Sequence, residues 1–322
     1  MEERHRAGAG HDAETDCFQM KIIDTHFHFS KSESFDETAA AAGHENSAEH
    51  LSEVFRREGI VLGIAMGELG GERLEGVCTP RTPNLCGTIA PGRPYPHPPF
   101  VAFCAGLESC EIAGSDRTRS LECFASVLRM KECLGLKLYP GYNTVSLNDP
   151  CHDPYYELAE QFDVPVVIHT GELAGNSGLL KYSHPLNVDE LAVRFPRVRF
   201  VMAHCGNPWI TDAVAVAAKN PNVFLDLSGL AEGNISADGF WNQFRGHMEY
   251  LRTWLVYLND WNKVMYGSDW PLVNIPAYLE VIRRLVPEEH HEKVFFGNAC
   301  RVFSKIPALS ARTSEELRTV TV

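Results

Sequence analysis

Histidine and aspartate residues stand at the ends of several short apolar runs in this 322-residue chain. They are Asp24, His26 and His28 in the segment DTHFH at 24–28, followed by His169, His204 and Asp269. His26 and His28 are two residues apart, so in a β-strand their side chains leave the same face and can converge on one ion. The spacing therefore predicts a divalent metal site assembled from distant strands.

The composition excludes several kinds of partner. The formal net charge is -13, with 29 Lys plus Arg against 42 Asp plus Glu, so no net positive field attracts nucleic acid. No apolar run approaches the ~20 residues that span a bilayer, and residues 1–20 lack the apolar stretch of a signal peptide. We expect a soluble cytoplasmic protein with a small-molecule substrate and no membrane partner, and the sequence leaves a homodimer open.

The 10 cysteines are scattered and form no C-x-x-C pair. This distribution favours reduced, mostly buried thiols over a disulfide framework. Cys78 and Cys86 share a Pro-rich segment and could clip it, which is the weaker interpretation.

Short apolar segments alternate with stretches of helical period, which is typical of strand-helix units around a parallel sheet. The predicted strands are Met20–Phe27, Ile60–Met66, Phe100–Leu107, Leu134–Tyr139, Val164–His169, Val198–His204, Val223–Leu227 and Lys263–Ser268. The predicted helices include Ser47–Glu58, Asp116–Lys131, Pro154–Phe162, Pro185–Phe195, Trp209–Lys219 and Phe240–Leu258. Eight such units favour an α/β fold of the closed (β/α)8 TIM-barrel type, since these barrels take about 250 residues plus insertions.

The remaining segments are predicted additions to the barrel. We expect a flexible extension over residues 1–19, a barrel domain over 20–306 and a tail or short helix over 307–322. The Gly/Pro-rich connection 67–99 after the second strand is predicted as a long loop over the catalytic face, a lid or a substrate wall. Asn298 is a candidate cap for a closing helix.

The predicted strands place these polar residues at one end of the barrel. The two histidines of the first segment lie at the carboxyl end of strand one, and His169, His204 and Asp269 each come at the carboxyl end of a later strand. Barrel enzymes carry their active sites on that face. One histidine at a strand end is usually structural, but the repeated placement favours a shared site.

The chain resembles the amidohydrolase superfamily, in particular the amidohydrolase-related branch of metal-dependent hydrolases and decarboxylases. The resemblance rests on an ordered set of motifs that spans most of the chain: DTHFH at 24–28, GLKLYP at 135–140, VVIHTGE at 166–172, FVMAHCGNPW at 200–209, MYGSDWP at 265–271 and GNACRVF at 297–303.

The resemblance implies that one divalent metal is held by His26, His28, His169 and Asp269. The ion is most simply Zn2+, with Mn2+ as the alternative. His204 is then a catalyst beside the metal, and Asp269 or His204 handles the proton of an activated water. A second metal bound through His204 is the less favoured alternative.

Other polar residues are candidates for contact with the substrate. Lys137 and Tyr139 share one face of the fourth strand, and a cationic lysine could pair with a substrate carboxylate or serve as a structural ion pair. Asn207, Trp209 and Trp270 follow strand ends and are predicted to line the pocket, although both tryptophans could instead pack loops against the barrel rim. Asp24 could support the metal ligands or bind backbone amides.

Three functions remain open at this stage. We favour hydrolysis of a small, carboxylated ester, lactone or amide by metal-activated water. Non-oxidative decarboxylation of an aromatic or unsaturated acid uses the same ligand set and is the alternative. A metal-binding protein without catalysis is the least favoured, because none of the expected ligands is missing.

Overall fold

The computed structural model describes residues 20–309, and its strands form one parallel sheet in chain order. The strands are β1 (Ile22–Phe27), β2 (Ile60–Met66), β3 (Val101–Leu107), β4 (Cys133–Leu138), β5 (Val166–Ile168), β6 (Phe200–Met202), β7 (Val223–Asp226) and β8 (Val264–Met265). All eight predicted strands are confirmed, but several end earlier than predicted. His204, for example, lies beyond β6 in a turn rather than in the strand.

Backbone hydrogen bonds between β1 and the segment after β8 close the sheet into a (β/α)8 barrel. The amide of Thr25 donates to the carbonyl of Tyr266 at 3.0 Å. The amide of Asp269 donates to the carbonyl of His26 at 2.8 Å, and the amide of His28 donates to the carbonyl of Trp270 at 2.7 Å. These bonds place Asp269 beside the two histidines of β1.

Helices cover the outside of the sheet in most of the connections. They are α1 (Glu33–Ala41), α2 (Ala48–Glu58), α3 (Arg117–Leu128), α4 (Pro140–Asn143), α5 (Asp153–Gln161), α6 (Leu186–Arg194), α7 (Ile210–Lys219), α8 (Ala237–Gln243), α9 (Arg245–Leu258), α10 (Ile275–Leu285) and α11 (Asn298–Val302). The five predicted helices from Ser47–Glu58 to Trp209–Lys219 are present, within a few residues at their ends. None of these helices is both long and apolar enough to cross a bilayer.

Two predictions about the helices are wrong in detail. The single helix predicted over Phe240–Leu258 is two helices, α8 and α9, which meet at Phe244. Asn298 does not cap α11, because its side-chain amide donates to the carbonyls of Trp261 and Val264, both at 2.7 Å. It ties the closing helix to the segment that enters β8.

The connection between β2 and β3 contains neither a helix nor a strand over residues 67–100. Its path is fixed by backbone pairing with the end of β3, where Arg81 and Gly106 exchange hydrogen bonds of 2.8 Å. Cys78 and Ile89 of this connection are buried in the same layer as the outer helices. The connection therefore covers part of the barrel wall in place of a helix.

Buried apolar side chains form two layers. One lies between the sheet and the helices, and the other fills the barrel with residues such as Ile23, Met66 and Val167, sealed by Phe303 and its neighbours. All nine cysteines of residues 20–309 are free, including Cys78 and Cys86. The predicted extension over residues 1–19 lies outside the described residues, as does most of the predicted tail, so these domain bounds remain predictions.

Candidate metal centre

An irregularity in β1 aims its histidines into the barrel. Ile23 packs among the side chains inside the barrel, whereas Phe27 packs in the outer layer. In a regular strand, residues four apart share a face. The alternation of faces must therefore shift between Ile23 and Phe27, and the pairing of β1 with β2 does shift its register between Asp24 and Phe27. His26 and His28 flank the outward Phe27 and therefore turn inward.

Asp269 lies against both of these histidines. Its Oδ1 is 3.5 Å from Nε2 of His26 and 3.2 Å from Nε2 of His28. This oxygen is buried and has no hydrogen-bond partner. Ligand atoms of His26, His28 and Asp269 all lie within 4.8 Å of one another, which is a spacing that one ion could bridge.

The sequence analysis did not single out Asp226, the last residue of β7. Its Oδ2 accepts a hydrogen bond from Nδ1 of His26 at 2.9 Å, and its Oδ1 accepts one from the amide of His204 at 3.0 Å. Since the carboxylate only accepts, His26 carries its proton on Nδ1 and presents the lone pair of Nε2 to the centre. The sequence offers one signal for Asp226, which is an acid within the apolar run of a predicted strand, but it does not indicate the partner of this acid.

His28 has a comparable arrangement. Its Nδ1 lies 2.6 Å from Oε2 of Glu68, which follows β2. Burial alone would lower the pKa of His28, but Glu68 and Asp269 raise it to about 9. In the absence of an ion, this position therefore stabilises a positive charge.

His169 and His204 meet at the other side of the centre. Nε2 of His169 lies 2.7 Å from the carbonyl of Glu172, which can only accept, so Nδ1 of the neutral ring keeps its lone pair. Nε2 of His204 lies 3.1 Å from that Nδ1. His204 also approaches Asp269, with 3.8 Å between its Nδ1 and Oδ2 of the aspartate. His169 thus reaches the centre through His204, and its role as a metal ligand stays a prediction.

Two site residues adopt a backbone conformation that non-glycine residues rarely use. His204 has φ 60° and Asp269 has φ 61°. Such left-handed residues cost energy and cluster where a site requires a particular side-chain direction. A glycine makes room for both: a Cβ on Gly229 would lie 2.6 Å from Nδ1 of His204 and 2.7 Å from Oδ2 of Asp269.

Lys137 lies at the centre and is fully buried. Its Nζ is 3.2 Å from Nε2 of His26 and 5.0 Å from the ring centroid of Tyr139. Burial lowers the pKa of Lys137 to about 8. Burial and the nearby lysine also lower the pKa of His26, to about 4, so this imidazole is neutral at pH 7.

The predicted substrate contacts occupy different environments. Tyr139 is buried beside His169, with 6.2 Å between ring centroids, and its hydroxyl has no hydrogen-bond partner. Asn207 also has a buried side-chain oxygen without a partner. Trp209 packs on His184 at 4.7 Å between centroids, whereas Trp270 is fully buried and stacks on His44 at 5.7 Å. The surroundings of Trp270 favour packing, and those of Tyr139 and Asn207 leave polar atoms for a ligand.

The donor set fits a divalent cation. Nδ1 of each histidine lies within 2.9 Å of a carboxylate oxygen, and Nε2 of each faces Oδ1 of Asp269, so two neutral rings would present two lone pairs beside this oxygen. In the metal-free protein the ammonium of Lys137, 3.2 Å from Nε2 of His26, supplies positive charge beside these atoms, and a divalent cation between them would supply it in the loaded protein. Asp24 lies deeper, where its Oδ1 accepts from the amides of His26 at 3.2 Å and Ser268 at 2.9 Å. It holds the backbone of β1 against the segment after β8.

A barrel with histidine and aspartate side chains converging at the carboxyl ends of its strands defines a metal-dependent enzyme of the (β/α)8 class. The amidohydrolase family model, Amidohydro_2, matches residues 121–305, more than half of the chain. The chain belongs to the amidohydrolase family, whose members are metal-dependent hydrolases or decarboxylases acting on small molecules.

Several known proteins are similar to this chain in sequence or in fold. Protein fluG of Emericella nidulans is 38% identical over 63 residues, which make up 20% of this chain and 7% of that protein. Among solved structures, an uncharacterised TIM-barrel protein from Bordetella bronchiseptica has a TM-score of 0.59 at 19% identity and covers 88% of this chain and 99% of its own.

Two further solved structures have similar folds. The 2,6-dihydroxybenzoate decarboxylase from Rhizobium has a TM-score of 0.59 at 14% identity, covering 88% of this chain and 99% of that one. A probable 2-pyrone-4,6-dicarboxylic acid hydrolase from Acinetobacter baumannii has a TM-score of 0.54 at 15% identity, covering 88% and 100%. At these identities the likeness establishes the fold alone.

Proposed function

We propose that this chain is a metal-dependent hydrolase of a small organic ester, lactone or amide, with one ion held by His26, His28, His169 and Asp269. The ion is Zn2+ in the simplest case, with Mn2+ as the alternative. The observation that carries the proposal is the convergence of the two Nε2 atoms on the unpartnered Oδ1 of Asp269, at 3.5 and 3.2 Å. A bound ion supplies Lewis acidity, which polarises a carbonyl and makes water more acidic.

His204 transfers the proton in this proposal, and Asp269 assists it. Their side chains are 3.8 Å apart, and burial lowers the pKa of His204, so the imidazole is neutral and can accept a proton. His204 takes the proton from the water that attacks the acyl carbon, and returns it to the leaving alcohol or amine as the single bond between the acyl carbon and the leaving oxygen or nitrogen breaks. The carboxylate of Asp269 stabilises the imidazolium that forms in between.

The substrate lies beside Lys137 and Tyr139 in this proposal. Nζ of Lys137 is the charged donor next to His26, and it would pair with a carboxylate of the substrate. The unpartnered hydroxyl of Tyr139 and amide oxygen of Asn207 would fix its orientation by hydrogen bonds.

Non-oxidative decarboxylation is the second candidate. The observation in its favour is the similarity of fold to the 2,6-dihydroxybenzoate decarboxylase, over 88% of this chain. In that reaction the bond between carbon and the carboxylate breaks, CO2 leaves, and the electron pair left on carbon takes a proton. Lys137 lies at the centre and could donate that proton.

The two reactions differ in their products. The Zn2+-loaded protein would be screened against esters, lactones, amides and aromatic carboxylic acids, with acid release and CO2 release followed separately. We expect acid release without CO2. Release of CO2 without net hydrolysis would overturn the hydrolase proposal in favour of the decarboxylase.

A further inference from the structure

Glu68 lies at the start of the 67–100 connection, two residues after β2 ends at Met66. Its Oε2 is 2.6 Å from Nδ1 of His28, an ion-pair contact that is not aligned as a hydrogen bond, and neither atom has a hydrogen-bond partner. The Glu68 side chain is 30% exposed and that of His28 is 13% exposed. A carboxylate from an irregular segment thus reaches into the edge of the metal centre.

The surroundings of His28 resemble those of His26, although only the contact of His26 with its carboxylate is aligned as a hydrogen bond. Nδ1 of His26 faces the carboxylate of Asp226 at 2.9 Å, and Nδ1 of His28 faces that of Glu68. Both rings then direct Nε2 at the same oxygen, Oδ1 of Asp269. A carboxylate at one ring nitrogen fixes the tautomer and makes the other nitrogen a stronger ligand.

Packing restrains the His28 ring but leaves its tautomer open. The ring stacks on Phe35 of α1 with 5.5 Å between centroids and 24° between planes. This contact sets the plane of the ring and offers no acceptor for an N–H group. Glu68 supplies the acceptor that the stack lacks.

We infer that Glu68 is a positioning residue for His28, holding its proton on Nδ1 so that Nε2 is free to bind the ion. The inference rests on the proposed function, because it assumes a metal at this centre. It also gives the 67–100 connection a role in metal affinity, since that connection supplies one of the two carboxylates behind the histidine ligands.

The test compares Glu68→Ala, Glu68→Gln and the control Glu72→Gln, in the full-length chain. Glu72 is an exposed glutamate in the same connection. Zn2+ affinity would be measured by competition with a chromophoric chelator, and the visible absorption spectrum of the Co2+-loaded protein would report the ligand field. We expect Glu68→Ala to bind Zn2+ about 10- to 100-fold more weakly and to shift the Co2+ spectrum.

Glu68→Gln keeps an acceptor oxygen, so its affinity is expected to lie between those of the wild type and Glu68→Ala. Glu72→Gln should match the wild type. If Glu68→Ala has the Zn2+ affinity and the Co2+ spectrum of the wild type, the inference is overturned while the proposed function stays intact. The same holds if Glu72→Gln loses as much Zn2+ affinity as Glu68→Ala. A raised KM with unchanged Zn2+ affinity would make Glu68 a substrate contact and also overturn it. A wild-type protein that binds no Zn2+ would overturn the proposed function itself.

Discussion

Gly229 offers a direct test of how tightly the centre is built. Its φ is +64°, and an added Cβ would lie 2.6 Å from Nδ1 of His204 and 2.7 Å from Oδ2 of Asp269. Contacts under 3.0 Å essentially never occur for a real Cβ. In Gly229→Ala, therefore, each of these side chains has to move by about 0.3 to 0.4 Å, or the backbone has to shift instead.

Gly233→Ala is the matched control. Gly233 lies in the same connection, has φ +82°, and has no atom within 4 Å of an added Cβ. Both variants carry the cost of a left-handed alanine, about 1 kcal/mol, but only Gly229→Ala adds the clash. The difference between the two variants isolates the displacement of His204 and Asp269.

The assays are Zn2+ affinity by chelator competition and urea unfolding of the metal-free proteins. We expect Gly229→Ala to bind Zn2+ at least about 10-fold more weakly than Gly233→Ala, because Asp269 is displaced from its position beside the histidines. It should also be less stable than Gly233→Ala by about 1 to 3 kcal/mol, the usual cost of overpacking. Equal affinities and equal stabilities in the two variants would refute the reasoning.

Three further variants probe separate features. The His204→Asn variant should keep its Zn2+ content, while its kcat on a substrate found in the screen falls about 10²- to 10⁴-fold because the proton acceptor is removed. Loss of the metal in this variant would contradict the role of His204 as a proton acceptor. Asp226→Asn should weaken Zn2+ binding about 10- to 100-fold, measured by chelator competition, because His26 loses its carboxylate partner; unchanged affinity would count against that pairing. Burial lowers the pKa of His152 from its ordinary value of 6.5. The unfolded chain therefore takes up a proton at a higher pH than the folded chain does. As a result, the free energy of unfolding falls as the pH drops below 6.5. Urea unfolding at pH 5 and pH 7 should show a smaller pH dependence in His152→Gln than in the wild type, and identical dependences would exclude His152 as a source.

The sequence predicts the barrel because its strands are short apolar runs, which length and flanking turn residues separate from helices. It predicts that His26 and His28 share a face, since they are two residues apart in a strand, and both face Asp269 in the structure, while their role as metal ligands stays a prediction. The strand irregularity that turns them inward is invisible in the spacing, because it comes from pairing with β2. The break between α8 and α9 at Phe244 is missed for a related reason: the apolar period continues through it.

The carboxylates behind the histidines are harder to find. Asp226 ends β7 and is 200 residues away from its partner His26, so only the closed sheet brings them together. Glu68 lies in a connection without regular structure, and no periodicity assigns it a direction. The left-handed conformation of His204 is equally hidden, because nothing local marks a histidine for positive φ.

The most direct test of the account is the metal content of the chelator-stripped protein after reloading with Zn2+, measured by elemental analysis beside the His169→Ala variant. The account predicts one Zn2+ per wild-type chain and a clear loss in the variant, although His169 reaches the centre in this structure through its 3.1 Å contact with His204. No bound metal in a folded wild-type protein, or the same content in both proteins, would contradict the proposed site.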